Sequence, residues 1–178
     1  MVTRNILILV LALASMSVRG QVTSGDADTQ YATQLLQPGM TVPNFKLTDN
    51  YGKKKQLAKL IKGKFTVLDF WASWCPDCRK DFPNIQRIRQ TFEPMGVQFI
   101  GISFDNDAGK WRNAISQYQL NYTQVSDLVT MRDSEVAKTF GVKWIPSMIL
   151  IGKDGKVILS TVLSDKLEKK LAEVMEKE

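Results

Sequence analysis

An α/β domain built on a mixed sheet is the fold class this sequence predicts, and three observations predict it. Residues 65–71 form a nearly continuous apolar run, interrupted by Asp69, that suits a strand buried in the middle of a sheet. Strand and helix patterns alternate from there to residue 118, as a sheet with helical crossovers requires. A strand–turn–strand pattern followed by an amphipathic helix closes the chain. With 178 residues, 44% of them hydrophobic and 24% charged, the chain has length for one domain and apolar mass for its core.

Residues 1–20 read as a secretory signal peptide. Arg4 supplies the positive start, residues 6–14 the apolar stretch and residues 15–20 a small or polar end, with cleavage after Gly20 or nearer Ser17. That stretch falls short of the roughly 18–20 residues that span a bilayer; the alternative is an uncleaved anchor lengthened by Met16 and Val18. The expectation is an exported protein, in a bacterial periplasm or cell envelope where disulfides persist. Residues 21–37 are rich in Gln, Thr, Ser and Asp without a sustained apolar period, which predicts a flexible tether. Pro38-Gly39 then opens a folded domain over residues 38–178.

Within that domain, residues 44–48 alternate weakly, and Asp49-Asn50-Tyr51-Gly52 turns the chain into a second strand at 53–56, an N-terminal β-hairpin. The buried strand at 65–71 follows. A helix starts at Cys75, where Pro76 is tolerated in the first turn and Asp77 suits the helix N-terminus; it runs towards Met95 past Pro83, which has no N–H to give the helix. A strand at 97–103 and helices at 108–118 and 135–140 come next, the last closed by Gly141. Strands at 147–151 and 156–160 flank a Lys153-Asp154-Gly155 turn. The final helix, from Asp165, carries Leu167, Leu171, Val174 and Met175 on one face.

Composition narrows the chemistry. The chain has no histidine, which excludes Ser-His-Asp and Cys-His catalysis. It has two cysteines, half of what a tetrahedral Cys/His zinc site needs, so neither a metal nor an organic cofactor is expected. The net charge is +6 without a Lys/Arg-rich tract of nucleic-acid-binding character, so nucleic acid is not an expected partner. Both cysteines lie in Trp74-Cys75-Pro76-Asp77-Cys78, between a buried strand and a helix start. At the helix N-terminus the Cys75 sulfur meets unpaired backbone N–H groups, which favour the attacking thiolate. Cys78, three residues on, shares that face, should be less exposed and can close a small disulfide ring. A static disulfide at this spacing would remove little unfolded-state entropy, so a redox role is the better account.

The segment Phe70-Trp71-Ala72-Ser73-Trp74-Cys75-Pro76-Asp77-Cys78 resembles the active-site segment of thioredoxins. Asp69, six residues before the first cysteine, matches the buried aspartate of that family, and Pro83 matches its helix proline. Ile145-Pro146, after Trp144, matches the cis-proline segment that faces the disulfide. The entry hairpin with Pro38-Gly39, Pro43-Asn44-Phe45, Leu47 and Gly52, and the long stretch from Asp105 to Glu135, resemble exported thioredoxin-like proteins of the TlpA/ResA type. The resemblance covers residues 38–178 and implies a thioredoxin-like fold: a mixed central sheet flanked by helices, with the hairpin as an N-terminal extension. It departs from the type in three places. Pro76-Asp77 stands where many members have Glu-Pro, Asp81 where they have Glu, and Asp69 where they have Asn.

The resemblance implies thiol–disulfide exchange on exported protein substrates, with Cys75 forming the mixed disulfide and Cys78 resolving it. Asp69 would act as proton acceptor for Cys78; the alternative is a structural carboxylate. Asp81 is either a second proton carrier or an exposed helix acid. Trp74, Pro76, Trp144, Ile145 and Pro146 would form the substrate surface, Ile145 offering its backbone to an extended chain, unless Trp144 is a core residue. A membrane-embedded redox partner would supply or remove electrons, and the acidic surroundings of Cys75 favour a reductant. Two rival functions are a peroxiredoxin-like peroxidase, against which Leu68 and Ala72 occupy its marker positions, and a non-redox binding or chaperone module.

Overall fold

The computed structural model describes residues 25–178, so the expected signal peptide lies outside the described residues. Seven strands form one sheet in the order β2-β1-β5-β4-β3-β6-β7. Its centre is β3 (Thr66–Trp71), all six residues of which are buried. β3 runs parallel to β4 (Gln98–Ser103) and antiparallel to β6 (Ser147–Ile151). β7 (Val157–Thr161) pairs antiparallel with β6, and β5 (Thr123–Ser126) lies parallel to β4. The sheet is mixed, as expected. The hairpin of β1 (Lys46–Asp49) and β2 (Lys54–Gln56) is not an appendage, because β1 pairs antiparallel with β5 and extends the sheet. Asp49 shapes its turn by accepting from the backbone N–H groups of Tyr51 and Lys53, and Gly52 takes φ +84°.

Both outer edges are guarded against pairing with other chains. Lys53, Lys54 and Lys55 put charge along β2, and residues 36–41 cover β7. There Gly39 N–H donates to Val157 O, Val157 N–H to Met40 O, and Ser160 Oγ to Leu36 O.

Residues alternate across β3, so Val67 and Asp69 share one face while Leu68 and Phe70 share the other. On the first face, α3 (Pro76–Phe92) and α6 (Ser164–Met175) set Ile85, Ile88, Phe92, Leu167 and Leu171 against Val67, Phe99, Met148 and Leu150. A larger cluster joins Leu68, Phe70, Ile100, Ile102 and Ile149 to α2 (Leu57–Ile61), α4 (Ala108–Gln117) and α5 (Glu135–Phe140). Asp69 therefore sits on the face that α3 covers. A 3-10 turn over Glu93–Met95 continues α3 to the expected end at Met95.

Residues 25–37 differ from the expected tether. They form the helix α1 (Gly25–Tyr31) and a segment folded onto the domain, with Ala32 and Leu35 buried. Asp28 accepts from Thr161 Oγ1 at 2.8 Å, from Val162 N–H at 2.8 Å and from Lys166 Nζ. Leu36 N–H donates to Phe140 O, and Gln34 passes so close to Gly141 that a Cβ there would lie 1.6 Å from the Gln34 carbonyl oxygen. Gly141 also takes φ +70°, so this crossing requires glycine twice over.

Candidate active site

The Cys75–Cys78 disulfide sits where β3 gives way to α3, with Cys75 as the N-cap residue. Cys78 N–H points at Cys75 Sγ at 3.0 Å, so one of the unpaired donors of the first helical turn is aimed at the sulfur. The helix terminus thus favours a Cys75 thiolate, as the sequence suggests. The Ile145 carbonyl oxygen lies 3.5 Å from the same Sγ. A carbonyl dipole beside the sulfur favours the thiol over the thiolate once the disulfide is reduced. Both cysteines are buried in the disulfide form, Cys75 at 3% exposed and Cys78 at 1%. Cys75 does not stand proud of the surface, because the Ile145 carbonyl meets its sulfur.

The surroundings assemble from separated stretches of chain. The Ile145–Pro146 peptide is cis and faces Cys75. Trp74 and Trp144 are 53% and 37% exposed, so Trp144 is not a core residue. Pro76 is exposed, whereas Ile145 and Pro146 are buried. Trp71, by contrast, is fully buried, packed edge-on against Phe82, and donates its Nε1–H to Gln124.

Asp69 is 1% exposed and accepts from Tyr122 Oη at 2.7 Å. Burial pushes its carboxyl up to about 7, against the Tyr122 hydrogen bond that stabilises the charged form, and the nearby Asp81 charge pushes it further up. An acid at that value exchanges its proton near neutral pH. Asp81 is half-buried rather than fully exposed: its Oδ1 accepts from Ser164 Oγ at 2.6 Å and Asn84 Nδ2 at 2.9 Å, while its buried Oδ2 has no hydrogen-bond partner. Asp77, at the outer rim, pairs with Lys80 at 3.3 Å.

Two residues of the site escape sequence reasoning. Tyr122 is one. The other is Asp105, buried just past β4, which accepts from Ser73 N–H at 2.9 Å, Ser73 Oγ at 2.6 Å and Ser103 Oγ at 2.7 Å. It pins the loop that carries Trp74 and Cys75, and Arg79 adds a bond to Ser73 O from the helix side. The only signal for Asp105 in the sequence is an acid directly after an apolar strand, which is common at strand ends. Asp105→Ala leaves three donors without their acceptor, and the expected cost is roughly 2–4 kcal/mol, read by chemical denaturation. A loss below about 0.5 kcal/mol would mean that Ser73 is held by other contacts.

Comparison with known proteins agrees with this geometry. The family model described as Redoxin matches residues 37–175. The thiol-disulfide oxidoreductase ResA of Bacillus thuringiensis subsp. konkukian is 34% identical over 142 residues, 80% of this chain and 79% of that one. A thiol-disulfide oxidoreductase from Bacteroides fragilis superposes with a TM-score of 0.70 at 28% identity, over 76% of this chain and 99% of that one. A secreted disulfide oxidoreductase of Mycobacterium tuberculosis gives 0.62 at 26% identity, over 72% and 95%. With a disulfide at a helix start, a buried acid on the same sheet face and a cis-proline across from the sulfur, the chain belongs to the redoxin family as a thioredoxin-like thiol-disulfide oxidoreductase of the TlpA/ResA type.

Proposed function

We propose that the protein reduces disulfides in exported protein substrates through the Cys75–Cys78 pair. The observation that carries this is the approach of Ile145 O to within 3.5 Å of Cys75 Sγ, which sets a peptide edge directly beside the reacting atom. The Cys75 thiolate attacks a substrate disulfide, forming the mixed disulfide and releasing one substrate thiolate. Cys78, its proton taken by Asp69, attacks Cys75 Sγ, closing the intramolecular disulfide and freeing the second substrate thiol. Two electrons pass from the dithiol to the substrate. Trp74 and Trp144 give the substrate an amphipathic surface, with Pro76 and Pro146 beside them, and the Ile145 backbone pairs with its extended chain. Asp81 lies close enough to Asp69 to act on its charge and serves as the second proton carrier.

The direction follows from what surrounds Cys75. One helix N–H stabilises its thiolate, whereas the Ile145 carbonyl and the carboxylate of the neighbouring Asp77 oppose it, and Lys80 offsets Asp77 only at the exposed rim. A thiolate without strong stabilisation makes the dithiol the better electron donor. A membrane-embedded partner returns the electrons. The leader-like residues 1–20 support export, as does the likeness to a secreted oxidoreductase; among the described residues no helix is long and apolar enough to cross a membrane. Equilibration with glutathione, read by tryptophan fluorescence, tests the direction. The expected potential lies below about −150 mV, and a value above it marks an oxidant.

A further inference from the structure

We propose that α1 forms a wall of the substrate groove and that Tyr31 is a positioning residue, holding Trp144 in place to receive a polypeptide. The inference rests on the thiol–disulfide reading of the site and adds what distinguishes a protein substrate from a small disulfide. A groove runs beside the active site between α1 and the first turns of α3, lined by Ala27, Tyr31, Asp77, Asp81, Trp144 and Pro146 among others. The Tyr31 ring stacks on the Trp144 indole, centroids 4.3 Å apart and planes 25° from parallel.

A seven-residue helix has too few turns to hold itself in water, so its tertiary anchors decide where it sits. Those anchors are specific. Asp28 gathers Thr161 Oγ1, Val162 N–H and Lys166 Nζ, all at the end of β7 and the start of α6. The following chain is clamped by the close passage of Gln34 over Gly141, on the loop that leads to Trp144 and Pro146. Asp28 and Gln34 thus tie the N-terminal segment to the elements that carry the groove, and the Tyr31 ring between them, which also packs against the core, stacks on a partly exposed tryptophan. An indole with one face against Tyr31 has lost its freedom to swing, so its orientation is set before substrate arrives. A polypeptide flanking a disulfide is long enough to use the α1 wall, whereas a small disulfide ends at the sulfur atoms.

Steady-state reduction of insulin, with the protein recycled by a thiol donor, tests this. Tyr31→Ala is expected to raise KM for insulin roughly three- to tenfold, the weight of one aromatic stack, with kcat changed far less. Tyr31→Phe, which keeps the ring, is expected to restore KM to within about twofold of the unsubstituted protein. Asp28→Ala, which frees the helix without touching the aromatic pair, is expected to raise KM in the same way, and it carries the test if Tyr31→Ala does not fold. An unmoved KM in a folded variant, or a fall in kcat alone, overturns the proposal. Failure of the unsubstituted protein to reduce insulin would instead count against the thiol–disulfide reading itself.

Discussion

Replacing Asp69 by Asn is expected to stabilise the disulfide form at pH 8 by roughly 4 kcal/mol while slowing turnover roughly 10²-fold. Burial raises the carboxyl from 3.8 to about 7 in the folded chain. Between those values the folded protein holds a proton that the unfolded chain has released. Stability from this group is therefore greatest below the unfolded value and is lost as pH rises through about 7. Above that point a carboxylate stands ionised in an apolar site with Tyr122 as its hydrogen-bond donor. The Asn variant keeps an acceptor for Tyr122 and carries no charge to desolvate. For a chain of this size the gain corresponds to roughly 8–16 °C in Tm at pH 8, and little at pH 4. Denaturation of both proteins at the two pH values reads it out, since their other titrating groups are shared. Parallel pH dependence in the two would show that Asp69 is ionised at no cost. The kinetic effect should fall on release of the mixed disulfide, because Asp69 is assigned to Cys78 rather than to Cys75.

Cys75→Ser is expected to reduce insulin-reducing activity by on the order of 10⁴-fold or more, the scale of removing a nucleophile. Stability should move far less. The lost disulfide spans a sequence separation of three, and closing so small a ring accounts for roughly 2 kcal/mol or less. The two readouts together separate a reacting cysteine from a structural one. A variant that still reduces insulin at the original rate would show that Cys75 is not the reacting nucleophile.

The elements most legible in the sequence are those whose stability is local or purely apolar. β3 announces itself as an apolar run interrupted by Asp69, and α5 spans Glu135–Phe140 because Ser134 caps its start and Gly141 its end. The Cys-Pro-Asp-Cys segment is legible because both cysteines are in it. β5 is not, because Thr123, Gln124 and Ser126 look like loop residues. Their polarity is satisfied at long range, Gln124 Oε1 by Trp71 Nε1–H and Ser126 Oγ through Ser103 O. The same reason hides α1, whose polar composition matches a tether until Asp28 finds its partners more than 130 positions away. Tyr122 and Asp105 meet Asp69 and Ser73 across 53 and 32 positions, and no local pattern records such pairings. The buried acid itself is legible; what tunes it is not.

We assign Cys75 to take the substrate sulfur and Cys78 to release it. Mixing the reduced Cys78→Ala variant with a disulfide-bonded protein and weighing the products by intact mass spectrometry separates the two roles. The expected result is a one-to-one adduct on Cys75 that accumulates and that dithiothreitol releases; no adduct with Cys78→Ala, or a stable one on Cys78 when Cys75 is replaced instead, would overturn the assignment.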